Sequence, residues 1–130
     1  MRAVLLGVLG FGAAIYSAHA QAAGDPAKGE VVFKQQCHVC HQVGAGAKSG
    51  IGPELNGIFG QKAASVPGYS FSPAMKEAAD KGIVWNEANL DKFLENPQGF
   101  VPGTKMAFLG MKNPEQRADV IAYLKTLKPQ

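Results

Sequence analysis

Cys37-His38-Val39-Cys40-His41 is the stretch on which the fold turns. Two cysteines at this spacing stand about one helical turn apart, so both thiols project from the same face. Such a pair can add to the two vinyl groups of one haem. A histidine directly after the second cysteine brings a ring nitrogen under the porphyrin centre, where it can bind iron. The expectation is a haem attached through Cys37 and Cys40, with His41 on the iron; the chain has no other cysteine. A thioredoxin-like disulfide would sit within a βαβ pattern, and no such pattern is found here. Zinc would need four ligands. Beyond this pentapeptide the only histidine is His19, close to the N-terminus. His38 is expected to point away from the thiol face and to be exposed, without a role.

An iron held on one side by His41 has a second axial position, and no histidine follows to fill it. Methionine, lysine, tyrosine, water or an open site remain. Met106 stands in Pro102-Gly103-Thr104-Lys105-Met106, between Pro97 and Gly110, in a segment of turn residues without helical periodicity. A methionine on a loop is poorly explained as core filling, and its thioether is a known haem ligand. Met75 follows a helix start at Ser72-Pro73 and Met111 precedes the C-terminal helix, so both read as packing. Met106 is the expected ligand, with an open or lysine-ligated site as the alternative.

Toward the N-terminus, Arg2 is followed by an apolar run from Ala3 to Ile15 and by Ser17-Ala18-His19-Ala20. A basic start, a short apolar stretch and a small-residue cleavage site make a secretory signal peptide. Gly7, Gly10 and Gly12 break the run, and a membrane span takes about 20 apolar residues. The expected organisation is a signal peptide over 1–20, with cleavage after Ala22 as a variant, and a single domain over 21–130. The destination is the periplasm; an uncleaved N-terminal anchor is the alternative. The 130 residues are 46% hydrophobic and 18% charged, which suits one globular domain. The formal charge of +3 falls with the loss of Arg2, and two haem propionates bring it near zero. No basic block or aromatic-basic interleaving points to nucleic acid.

Four helices frame the motif. Asp25-Pro26 reads as a cap and first residue of a helix running through Val32 and Phe33 to the cysteines, with Gly29, Phe33, Cys37 and Cys40 on one face. Its partner is the last helix, capped by Asn113 with Pro114 first and Gln116 three residues after the cap; it carries Val120, Ile121, Tyr123, Leu124 and Leu127. Short helices start at Ser72-Pro73, ending by Gly82, and at Asn86, ending before Pro97. The rest is loop, glycine-rich from Gly44 to Gly60. With so little regular structure, an apolar cofactor tied in by two thioethers is expected to organise the core, leaving the apoprotein poorly folded.

From Gly24 to Lys128 the chain resembles the class I cytochromes c, close to the bacterial cytochromes c2 and mitochondrial-type cytochrome c. The matching residues are the Cys37–His41 pentapeptide, Gly52-Pro53-Glu54-Leu55-Asn56-Gly57, Pro67-Gly68-Tyr69, Gly82-Ile83-Val84-Trp85, Leu94-Glu95-Asn96-Pro97, Val101-Pro102-Gly103-Thr104-Lys105-Met106, and Arg117 through Leu124. The resemblance implies an all-α fold with crossing N- and C-terminal helices, and short helices and loops wrapped around one covalently bound haem c. It implies that Met106 is the axial thioether, that the Pro53 carbonyl accepts the His41 ring N–H, and that Trp85 bonds a haem propionate. Plain core packing is the other reading of Trp85. Gln61 stands where many relatives have arginine, and Phe71 and Phe93 where they often have tyrosine, so the family's reduction potential does not transfer. The segment near Glu77-Ala78-Ala79 reads about one helical turn longer than in mitochondrial relatives. Lys48, Lys105 and Lys112 stand near the positions that ring the exposed haem edge in the family, while Gln36, Gln98 and Gly99 replace lysines common there.

The expected function is that of a soluble monohaem carrier passing single electrons between larger redox proteins, and not an enzyme. Candidate partners are a cytochrome bc1-type complex, a terminal oxidase, a reaction centre or a dehydrogenase, met by a monomer through weak docking near the three lysines. The alternative is a haem protein of ligand-binding or peroxidase type, which needs an open sixth site and distal acid–base groups.

Overall fold

A computed structural model describes residues 23–130; the expected leader lies outside the described residues. Five helices follow in order: α1 (Pro26–Gln36), α2 (Pro73–Asp80), α3 (Glu87–Glu95), α4 (Pro97–Phe100) and α5 (Pro114–Thr126). Four of these were expected, and their ends follow from side-chain capping. Asp25 accepts from the N–H groups of Ala27 and Lys28, Ser72 from Met75, Asn86 from Asn89, and Asn113 from Glu115 and Gln116. Each cap satisfies donors that the first turn leaves without partners. Gly82, just past α2, has φ +88°, a left-handed value glycine adopts without a steric penalty. The fifth helix, α4, is a single turn that Pro97 conceals in the sequence: Asn96 ends α3 and caps α4 through Gly99 N–H.

Helix α1 stops at Gln36, and the cysteine motif continues it as a hydrogen-bonded turn. Cys40 N–H and His41 N–H both donate to the Cys37 carbonyl, at 3.1 and 3.0 Å. The thiols are thus held one turn apart without the motif being helical.

The two terminal helices pack on each other at very short range. A Cβ on Gly29 would lie 1.9 Å from the Asp119 carbonyl oxygen, so only glycine allows this approach. Asp119 is buried and accepts from the Asp25 N–H at 2.7 Å. Phe33, Val120 and Ile121 are among the most deeply buried side chains of the core, and Phe33 meets Tyr123 at 5.5 Å between ring centroids. Helix α3 joins α5 through Leu90, Phe93 and Leu94 inside and Glu87–Lys125 outside. Among the described residues the only extended pairing is an isolated bridge, Lys62 with Val84. No described helix is long and apolar enough to cross a membrane.

Candidate functional site

Loops and helix faces enclose a cavity of about 340 Å³ whose walls are mainly apolar. Cys37, Cys40, His41, Pro53, Trp85 and Met106 all line it, so six residues spread over 70 positions of sequence meet at one place. Phe33 and Val120 bring the helix pair to its wall, and Leu90, Phe93 and Leu94 bring α3. The two thiols are free, and neither is bonded to the other. Burial, and the neighbouring Cys40, push the Cys37 thiol up to about 11.

The His41 ring is fixed from two sides. Its Nδ1 lies 2.8 Å from the Pro53 carbonyl oxygen, which can only accept, so Nδ1 carries the proton and donates. A Cβ on Gly52 would stand 2.6 Å from Cε1 and 2.7 Å from Nδ1, so the imidazole occupies space that only a glycine leaves. Burial lowers the ring's pKa more than the Pro53 bond raises it, which favours the neutral imidazole. A neutral ring protonated at Nδ1 offers its Nε2 lone pair to a metal.

Met106 lines the same cavity, half-buried on a loop braced by a residue that sequence reading took only as a lost lysine. Gln98 Nε2 donates to the carbonyls of Thr104 and Met106 at 3.0 and 3.2 Å, and its Oε1 accepts from Gly103 N–H at 3.4 Å. Gly103 has φ +92°, completing the turn. Thr104 Oγ1 accepts from Met106 N–H. The sequence signal for Gln98 was its place two residues after Asn96, in the turn that caps α4.

Met75 also reaches the cavity wall, from the buried face of α2, whereas Met111 is core and does not line it. Trp85 is buried, 4.9 Å from Phe93 between centroids, and lines the same cavity. Phe71 and Phe93 face the cavity without a hydroxyl, and Gln61 is exposed. His38 is exposed, as expected. Of the three lysines, Lys105 lines the cavity, Lys48 is exposed beside the motif loop, and Lys112 is exposed with its ammonium donating to the Glu95 carbonyl at 2.6 Å. No Asp or Glu lines the cavity among the described residues.

These residues fit a haem on the structure's own terms. The space is large and apolar, two thiols reach it from adjacent turns, and a neutral imidazole is oriented with its free nitrogen available.

The chain matches the family description "Cytochrome c" over residues 26–128. A cytochrome c2 of Rhodomicrobium vannielii is 56% identical over 126 residues, covering 97% of each chain. A cytochrome c2 of Afifella marina is 50% identical over 100 residues, 77% of this chain and 80% of its own. Among solved structures, cytochrome c2 from Rhodospirillum centenum has a TM-score of 0.76 at 37% identity, covering 82% of this chain and all of its own. Cytochrome cH from Methylobacterium extorquens has a TM-score of 0.72 at 44% identity, with 79% and 99% covered. With sequence match, fold and haem-attachment motif in agreement, the chain belongs to the cytochrome c family, in its class I branch close to the cytochromes c2, and carries one covalently attached haem c.

Proposed function

We propose that this chain works in the periplasm as a carrier of single electrons, with the iron held between His41 and Met106, and that it is not an enzyme. The observation that carries the reading is the convergence of two thiols, one oriented imidazole and one loop thioether on a single apolar cavity. When bound, the haem supplies an iron that gains and loses one electron.

The chain's own residues do the rest. Cys37 and Cys40 hold the group by thioether bonds, and His41 is kept in one orientation and tautomer by Pro53 and Gly52. Met106 offers a soft thioether, which favours the reduced metal and raises the potential. The braced loop would hold the Met106 thioether and the Pro53 bond would hold the His41 ring, so that neither needs to move when the metal changes oxidation state. Apolar walls would limit water around the metal, and Trp85, on the cavity wall, would donate its indole N–H to a propionate. The cavity lining has no carboxylate and no second histidine to serve as distal acid or base, which favours a carrier over a peroxidase-type site.

Partners of this kind meet through a small, transient surface. Lys48, Lys105 and Lys112 suit acidic patches on a bc1-type complex, terminal oxidase, reaction centre or dehydrogenase. The apolar run after Arg2 accounts for export.

The test is the ferric optical spectrum, read for the weak near-infrared sulfur-to-iron band. The band is expected in the unmutated protein, retained in Met75→Ala and lost in Met106→Ala. Its absence from the unmutated protein would move the open-site, ligand-binding reading to the front.

A further inference from the structure

Three loop segments meet across the mouth of the cavity. Tyr69 donates its hydroxyl to the Ile51 carbonyl at 2.8 Å, one residue before the Gly52 that seats the His41 ring. Lys105 donates its ammonium to the Ser70 carbonyl, and its nitrogen stands 5.8 Å from the centroid of the Tyr69 ring. The Tyr69 ring in turn meets Phe71 edge-on at 4.8 Å. A continuous line of contacts therefore runs from Ile51 through Tyr69 and Ser70 to Lys105 and Met106. None of these residues lies in a helix, and Ile51, Tyr69, Phe71, Lys105 and Met106 all line the cavity.

The Met106 loop has two attachments of different character. Gln98 braces its base, bonding the Thr104 and Met106 carbonyls from α4. Lys105 ties its outer side to a different loop, which Tyr69 ties to a third. For an external ligand to take the place of Met106, the loop must give way, and the Lys105–Ser70 contact is one of the attachments that resists this.

We propose that Tyr69 is a positioning residue: its hydroxyl, backed by Lys105, clasps the Met106 loop to the Ile51 loop and holds Met106 against displacement by small ligands from solvent. The proposal rests on Met106 being the axial ligand. The ring of Tyr69 covers the cavity, and the hydroxyl fixes where the ring sits, so Tyr69→Phe separates the clasp from the packing. A net hydrogen bond of ordinary strength corresponds to about a fivefold change in the population of the opened loop.

The experiment adds imidazole to the haem-loaded ferric protein and follows loss of the sulfur-to-iron band, with the urea midpoint measured for each variant. Tyr69→Phe and Lys105→Gln are each expected to exchange about fivefold faster. The double variant is expected to fall well short of the roughly 25-fold product, because both changes open one clasp. Lys112→Gln, which loses a similar bond to the Glu95 carbonyl outside the clasp, is expected to exchange at the unmutated rate. An unchanged rate in Tyr69→Phe overturns the proposal, as does acceleration that merely tracks a lowered urea midpoint or appears equally in Lys112→Gln. A band present with unaltered rates marks failure of the clasp alone. A band missing from the unmutated protein marks failure of the Met106 reading, and the proposal falls with it.

Discussion

A methyl group at position 52 would stand 2.6 Å from Cε1 of His41, well inside van der Waals contact. Gly52→Ala must therefore displace the ring, and the first contact to lengthen is the 2.8 Å bond from Nδ1 to the Pro53 carbonyl. That bond makes the imidazole a stronger donor to iron and so favours the oxidised metal. Gly52→Ala is expected to raise the reduction potential by roughly 40 mV, the one-electron equivalent of a hydrogen bond worth about 1 kcal/mol. Protein-film voltammetry checks this, and an unchanged or lowered potential would count against it. At this scale the cysteines, His41 and Met106 stood out in the sequence because each is chemically unlike its neighbours. Gln98 did not, since its work is done through an ordinary amide whose partners are backbone groups five to eight residues away. Gly52 was noted only as part of a matching motif; that it must be glycine follows from where His41 lies.

Among the elements, α3, α5 and the segment between them are locked by one side chain. Arg117, in the first turns of α5, is buried at 7% exposure. Its Nε donates to Asp91 of α3 at 2.7 Å, and one Nη to the carbonyls of Met111 and Lys112 at 2.9 and 3.2 Å. Those two carbonyls belong to the strand of chain leading from the Met106 loop into α5. Arg117→Met keeps much of the volume but strands the Met111 carbonyl in the interior. Asp91 is 41% exposed on its side chain and can be rehydrated, so the loss should lie near the low end for a broken buried pair, about 2–3 kcal/mol. Urea unfolding of the haem-loaded protein measures it, and a loss under about 0.5 kcal/mol would show the network to be dispensable. The Glu77–Lys81 pair on α2 is the contrast. Lys81 holds the Glu77 carboxyl below its usual range, so any stabilisation is present above that range and fades as pH falls. Both side chains are largely in water, so little of it survives screening. Four of the five helices were legible because cap, first-position proline and apolar spacing agreed within each. Helix α4 was not, because a proline that ends one helix and begins the next reads as a stop.

For the whole molecule, the decisive quantity is the size of the space at its centre. At ~24 cal/mol per Å³, a bare apolar cavity of 340 Å³ would cost about 8 kcal/mol, an upper bound because the mouth is open to water. That is comparable to the whole stability of an ordinary domain, ~5–15 kcal/mol. Haem-free protein, obtained by replacing both cysteines with alanine and withholding haem, is therefore expected to lose most of its helical CD signal and its cooperative thermal transition. A sharp, native-like melt would refute it. The sequence by itself determined the attachment chemistry, the ends of four helices and the family, because these depend on residue type at short spacing. Tertiary structure alone decided the rest. It brought Met106 and Met75 to the cavity but not Met111, placed Gly52 against His41, gave Gln98 its brace, and tied the loops beside the cavity through Tyr69 and Lys105. The physical reason is that these loops carry no periodicity of their own, so their positions are set by contacts between residues from five apart, as Gln98 and Gly103, to 35 apart, as Ser70 and Lys105.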